Sequence, residues 1–219
     1  MVLILTANYV IFKKSKILSM KRLLLFMALA GGLATMSFTI NAVLPIGSAL
    51  PKADHKMKNV SGGDVSMKDA SKKNGVLVMF SCNTCPYVVK NEQRILGIGD
   101  FALKMGVGVI LLNSNEAQRT SDDSYDEMKK YAAEKKYNWS YVVDKNYEIA
   151  DAFGANRTPE CFLFDKNLKL VYHGAIDDNP SDAAAVTRSH LRVAINELVE
   201  GKEIAIKESK SVGCTIKRN

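Results

Sequence analysis

Two apolar runs, Val76–Phe80 and Met105–Asn113, stand in the chain without polar alternation. Runs of that kind predict strands buried on both faces, at the centre of a sheet. The segment between them predicts a helix that opens at Pro86 and reaches Leu96. Asp122 or Asp123 is placed to cap a second helix running to Lys136, since a carboxylate can accept from the first free amides. A strand is expected at Trp139–Asp144, then a short helix at Tyr147–Phe153 stopped by Gly154. Cys161–Asp165 and Leu168–His173 read as a hairpin around Lys166-Asn167, and Asp182–Glu200 as the last helix, ended by Gly201. Ahead of the first run, His55–Val60 is expected to pair with Val65–Met67 across the turn Ser61–Asp64, followed by a polar connection at Asp69–Asn74. Strands alternating with helices, with hairpins at the edges, give an α/β domain on a central mixed sheet flanked by helices.

The start of the chain reads as targeting. Met20-Lys21-Arg22 precedes the apolar stretch Leu23–Ala34, and small and polar residues continue to Ala42. This is the order of a secretory signal, with cleavage after Ala42. The uncharged stretch is also long enough to stay as an N-terminal membrane anchor. Residues 1–19 carry their own apolar run and are expected to lie upstream of a true start at Met20. Residues 43–52 then form a linker, 53–203 the domain and 204–219 a tail. The expected location is exported, periplasmic or extracytoplasmic.

Charge follows the same division. The chain carries 30 basic and 23 acidic residues, a formal net charge of +7. Residues 1–42 hold five of the basic residues and no acid, which leaves 25 basic against 23 acidic in the remainder, a net of +2. That remainder has no basic stripe, so nucleic acid is not an expected partner.

Candidate chemistry lies in Cys82-Asn83-Thr84-Cys85-Pro86, which joins the first buried strand to the first helix. Spacing alone leaves redox and metal use open. The strand–turn–helix setting favours thiol–disulfide exchange, because the attacking sulfur must be a thiolate and a helix start offers free N–H groups and positive potential. Cys82 is expected to be that thiolate, with Cys85 close enough to close a disulfide with it. All four cysteines lie beyond residue 42, and an oxidising compartment permits disulfides among them. A domain of this size does not need such staples, so a purely structural role for Cys82 and Cys85 is disfavoured.

Three motifs in order carry a resemblance: Phe80-Ser81-Cys82-Asn83-Thr84-Cys85-Pro86, Phe153–Asp165 with Thr158-Pro159, and Leu170-Val171-Tyr172-His173-Gly174. Residues 53–219 resemble the thioredoxin superfamily, in the branch of exported thioredoxin-like proteins and AhpC/TSA-like redoxins. The hairpin Val60–Met67 and the ending Ser211–Lys217 resemble features of a redoxin subgroup with a Cys-Asn-x-Cys-Pro active site. The resemblance implies a thioredoxin-like fold with an N-terminal β-hairpin and an inserted helix–strand unit at Asp122–Asp144. It implies that Thr158-Pro159 is a cis-proline loop, whose exposed Thr158 backbone could pair with an extended substrate. Two familiar features are missing. Met79 stands near where thioredoxins bury an acid, and Ser81 replaces the tryptophan before the first cysteine. Glu160 is then a candidate for proton transfer to Cys85, against the plainer reading of a solvated loop carboxylate.

The expected activity is a thiol–disulfide oxidoreductase. Cys82 attacks a substrate disulfide and Cys85 resolves the mixed disulfide. The resemblance favours a reductase of exported proteins, drawing electrons from a membrane thiol carrier. The expected partner is a protein disulfide or dithiol, with no cofactor and no metal. Cys161 reads as a core thiol. Cys214 is a passive tail thiol, a partner for Cys161, or a third redox thiol docked near the site. Two alternatives come from other classes. A peroxiredoxin-like peroxidase would place Thr at position 79 and Pro at 75, where this chain has Met79 and Gly75. A thioredoxin-fold copper chaperone would recruit His173, which otherwise reads as a surface residue of the hairpin.

Overall fold

The computed structural model describes residues 42–219; the expected signal, anchor and upstream start lie outside the described residues. The chain first makes a small antiparallel hairpin, β1 (Met57–Lys58) with β2 (Asp64–Val65). Its return arm stops at Val65, short of the expected Met67. Ser66 instead caps the one-turn helix α1 (Met67–Ala70), accepting from the Asp69 amide at 3.1 Å while the Asp69 carboxylate accepts from the Ser66 amide at 2.8 Å. This reciprocal capping box satisfies two helix-end amides at once.

Next come β3 (Val76–Phe80), α2 (Pro86–Lys104), β4 (Gly108–Asn113), α3 (Tyr125–Glu134), β5 (Ser140–Val143) and α4 (Glu148–Phe153). After them follow β6 (Arg157–Thr158), β7 (Glu160–Phe164), β8 (Leu170–Gly174), α5 (His190–Val199) and β9 (Cys214–Thr215). Five strands form the central sheet in the order β5-β4-β3-β7-β8. β3 lies parallel to β4 and antiparallel to β7, and every one of its residues is buried. The unalternating run at Val76–Phe80 is thus the centre of a mixed sheet, as its pattern predicts.

The two faces of that sheet have different cores. Leu77 and Met79 of β3, with Cys161 and Leu163 of β7, face α2, α3 and α5 through Val88, Ile95, Met128, Leu191 and Ile195. Val76, Val78 and Phe80 face the other way, with Phe162, Phe164 and the α4 residues Ile149, Ala150 and Phe153. On that side Phe80, Phe153 and Phe162 meet edge to face, at centroid distances of 5.0–5.7 Å. Such contacts favour the positive ring edge against the negative face.

Helix boundaries depart from the sequence pattern where tertiary contacts decide them. α2 runs to Lys104 through Gly97 and Gly99, past the expected end at Leu96. A Cβ on Gly99 would come within 2.6 Å of the Trp139 ring, so the glycine there allows the indole to lie against the helix. α5 starts at His190, not Asp182. Residues 182–189 are held in turns instead: Asn179 Oδ1 accepts from the Ser181 and Asp182 amides at 3.1 and 2.9 Å, and Asp178 accepts from the Thr187 amide at 3.0 Å. Asx side chains compete in this way with helical bonding. Both flanks of the domain are bound to it. Leu50 is buried and donates its amide to the Leu168 carbonyl at 2.8 Å, while Ile204 and Ile216 of the tail are buried. Among the described residues no helix is long and apolar enough to cross a membrane.

Candidate active site

Cys85 is the N-cap of α2, with Pro86 at the first helical position and no side-chain cap. Proline fits there because its missing N–H would be unpaired in any case. Cys82 sits on the loop between β3 and that cap. Both thiols are closed off, Cys82 at 1% and Cys85 at 4% exposure. Against them lies the Thr158–Pro159 peptide, which is cis. Cys82 Sγ is 3.6 Å from the Thr158 hydroxyl, and Cys85 Sγ is 3.1 Å from the Thr158 carbonyl oxygen. The fold thus brings Cys82 and Cys85 against Thr158, 76 and 73 residues further along the chain, with Pro159 beside it.

The two cysteines share a proton unequally. The hydrogen bond from Cys82 pulls Cys85 down to about 4, against burial, with further donation from Cys214, Thr158 and the Val88 amide. Cys82 moves the other way, held up by its bond to Cys85, by burial and by the carboxylate of Asp123. These contacts favour negative charge on Cys85 over Cys82, the reverse of the expected order, while the Cys85 thiol itself donates to the Thr158 carbonyl. The helix-end amide of Val88 reaches the cap residue, and the nearby acid disfavours a charge on Cys82.

A buried polar network supports the loop. Asp123 accepts from the Asn83 amide at 2.9 Å, from Asn113 Nδ2 at 2.7 Å and from Asn115 Nδ2 at 2.9 Å. The Tyr141 hydroxyl donates to Asn83 Oδ1 at 2.9 Å. Asp123 is therefore not a helix cap. Ser124 takes that role, accepting from the Glu127 amide at 3.3 Å.

The C-terminal tail closes the site from outside. β9 pairs with β6 antiparallel, placing Cys214 opposite Thr158 and Thr215 opposite Arg157. The Thr158 backbone, expected to be open to a substrate strand, is occupied by the protein's own tail. Cys214 lies beside Cys85; burial and that neighbour hold its thiol above the ordinary range. Of the positions weighed for Cys214, the structure shows the one next to the active pair.

The redoxin family model matches residues 45–187. The chain belongs to the redoxin family. An uncharacterized conserved protein from Geobacillus kaustophilus is 34% identical, with a TM-score of 0.74 over 80% of this chain and 93% of that one. A hypothetical protein from Sinorhizobium meliloti 1021 is 28% identical, with a TM-score of 0.72 over 81% and 97%. The thioredoxin domain of a thiol-disulfide oxidoreductase from Bacteroides vulgatus shares the fold at 22% identity, with a TM-score of 0.50 over 60% and 89%. No curated protein matches the chain. The redoxin's fold is thioredoxin-like, and its chemistry belongs to thioredoxin-fold redox proteins.

The remaining candidates of this redoxin, Cys161, Glu160 and His173, are buried on β7 and β8. Cys161 is fully buried, and desolvation pushes its thiol well up. Glu160 is neither a solvated carboxylate nor a proton donor to Cys85. It is 3% exposed and, by alternation along β7, faces the side of the sheet away from Cys161 and the active cysteines. Its carboxylate accepts from the Asn156 and Arg157 amides at 2.9 and 3.0 Å and bonds His173 Nε2 at 2.8 Å. His173 is correspondingly a buried residue, not a surface one, with its ring 4.5 Å from that of Phe162. The network of Asn83, Asn113, Asn115, Asp123 and Tyr141 escaped the sequence reading. Only the misread cap at Asp123 hinted at it.

Proposed function

We propose that this redoxin is an exported thiol–disulfide oxidoreductase, acting on protein disulfides through the Cys82/Cys85 pair with Thr158 and Pro159 beside it. The observation that carries the reading is the meeting of both sulfurs with Thr158, next to the cis peptide and at the start of α2. The signal-like order of Met20–Ala42 supports export. By resemblance the protein runs as a reductase, with electrons from a membrane thiol carrier. Against the copper alternative stands the bond of His173 Nε2 to Glu160 on the opposite face of the sheet.

A second direction has an observation of its own. Four donors converge on Cys85 and stabilise its thiolate. A stabilised reduced state makes the disulfide a stronger oxidant. The reduction potential decides between the two directions. The protein is equilibrated in glutathione buffers, trapped by alkylation and weighed. A Cys82–Cys85 couple near about −270 mV supports the reductase, and one between about −120 and −180 mV supports the oxidant. A pair that never interconverts between dithiol and disulfide overturns the oxidoreductase reading altogether.

A further inference from the structure

Cys214 is the most exposed thiol of a cluster whose other members are closed off. Cys82 and Cys85 are buried, and Cys214 is partly open. The tail that carries it is bolted down on both sides of the sheet. Ile216 is buried in the aromatic core, and its amide donates to the Asn156 carbonyl at 3.0 Å. The Lys217 amide donates to Asn115 Oδ1 at 2.9 Å, and Asn115 in turn holds Asp123 of the active-site network. Arg218 Nε pairs with Asp151 at 3.0 Å. Gly213 makes the close approach possible, since a Cβ there would stand 2.1 Å from the Thr158 carbonyl oxygen. The ordered tail packs Cys214 against the cluster that contains Cys82 and Cys85, opposite the Thr158 whose carbonyl meets Cys85.

Resting on the oxidoreductase reading above, we propose that Cys214 is a third exchanging thiol, which carries the disulfide from the buried Cys82–Cys85 pair to the surface as a Cys85–Cys214 disulfide. In the oxidised protein Cys214 loses its proton to solvent and its thiolate attacks Cys85 Sγ. The Cys82–Cys85 bond breaks, and Cys82 takes up a proton as it leaves, so that no charge is left beside Asp123. One disulfide replaces another, with no oxidant consumed. An outside dithiol then attacks Cys214 Sγ through one of its sulfurs, and Cys85 leaves. The second outside thiol closes on the first and releases Cys214. The outside dithiol has lost two electrons and two protons, and the Cys82/Cys85 pair has gained them. The same steps in reverse reduce an outside disulfide. Cys85 suits the central place because the donors that converge on it make it a good leaving group.

Non-reducing peptide mapping of the full chain tests this. After oxidation with glutathione disulfide, the wild type is expected to yield a Cys82–Cys85 disulfide and Cys82→Ser a Cys85–Cys214 disulfide. Oxidised Cys214→Ser is expected to keep the Cys82–Cys85 disulfide but to be reduced by dithiothreitol about tenfold more slowly, because attack must then reach a buried sulfur. If Cys82→Ser forms no Cys85–Cys214 disulfide, or Cys214→Ser is reduced at the wild-type rate, the relay is overturned while the oxidoreductase reading stands. If the wild type forms no Cys82–Cys85 disulfide, both fall.

Discussion

Glu160 Oε1 and His173 Nε2 meet at 2.8 Å across β7 and β8, on the face of the sheet turned away from the active cysteines. The other carboxylate oxygen takes the amides of Asn156 and Arg157, in the loop that leads into Pro159. One buried acid thus ties the proline loop to the edge of the sheet. Its role is positional, although its place in the sequence suggested proton transfer.

Replacing it should cost stability before it costs chemistry. Glu160→Ala leaves the buried His173 Nε2 without its acceptor, at a cost of about 1–3 kcal/mol, and two amides of the exposed residues Asn156 and Arg157 lose theirs to water. Urea unfolding should show a loss of about 1–3 kcal/mol, with Glu160→Gln milder because it keeps an acceptor oxygen. The double variant Glu160→Ala/His173→Ala should lose less than the sum of the single losses. Additive losses would mean that the two side chains do not act as a unit.

The parts of the fold that could be read from sequence are those fixed by local pattern. The short, unalternating Val76–Phe80, with β-branched Val76 and Val78, reads as a strand covered on both faces, and the C-x-x-C at its end leads into the start of α2. The helix starts were less legible. Asp123 and Ser124 are equally good caps by residue type, and only the approach of Asn83, Asn113 and Asn115 diverts Asp123 into the active-site network. Glu160 and His173 look solvated one at a time, because the bond that lets them be buried spans a hairpin. The tail was visible as a motif but not as a strand. β9 is two residues long and exists through its pairing with β6.

Asp123 adds to what holds the Cys82 thiol up, after its bond to Cys85 and its burial. The negative charge of Asp123 disfavours a second one nearby. Neutralising it removes that repulsion, so Cys82 should ionise at lower pH in Asp123→Asn. Iodoacetamide alkylation of Cys82 in the reduced protein, followed against pH, should shift its rise toward acid. A curve superimposable on that of the wild type would show that the carboxylate does not act on this thiol.

Cys85 links redox state to pH-dependent stability. Its folded value is depressed to about 4, against about 8.5 for a free thiol in the unfolded chain. An acid held low in the folded state contributes stability that is complete above the unfolded value and lost as pH falls toward the folded one. The reduced protein should therefore gain stability between pH 4 and pH 8.5, and the oxidised protein has no thiol at Cys85 to contribute. The gap in melting temperature between the two forms should change steadily over that window, in favour of the reduced form at higher pH. A gap that stays constant with pH would place the first ionisation of the pair at its ordinary value.

Gly213 offers a way to disturb the docking of β9 without touching a thiol. A Cβ at this position would lie 2.1 Å from the Thr158 carbonyl oxygen and 2.7 Å from its carbon, both backbone atoms that cannot swing aside. Alanine must push β9 off β6 or shift the carbonyl against which Cys85 rests. Overpacking of this kind costs about 1–3 kcal/mol. The strand should loosen, so Gly213→Ala should be cut faster by trypsin at Lys217, and Cys85 should be alkylated faster than in the wild type. Gly97→Ala is the control, since a Cβ there meets nothing within 4 Å and alanine in a helix interior is favoured by about 1 kcal/mol over glycine. If Gly213→Ala matches the wild type in stability, cleavage and alkylation, the tail does not shield the active cysteines by this contact.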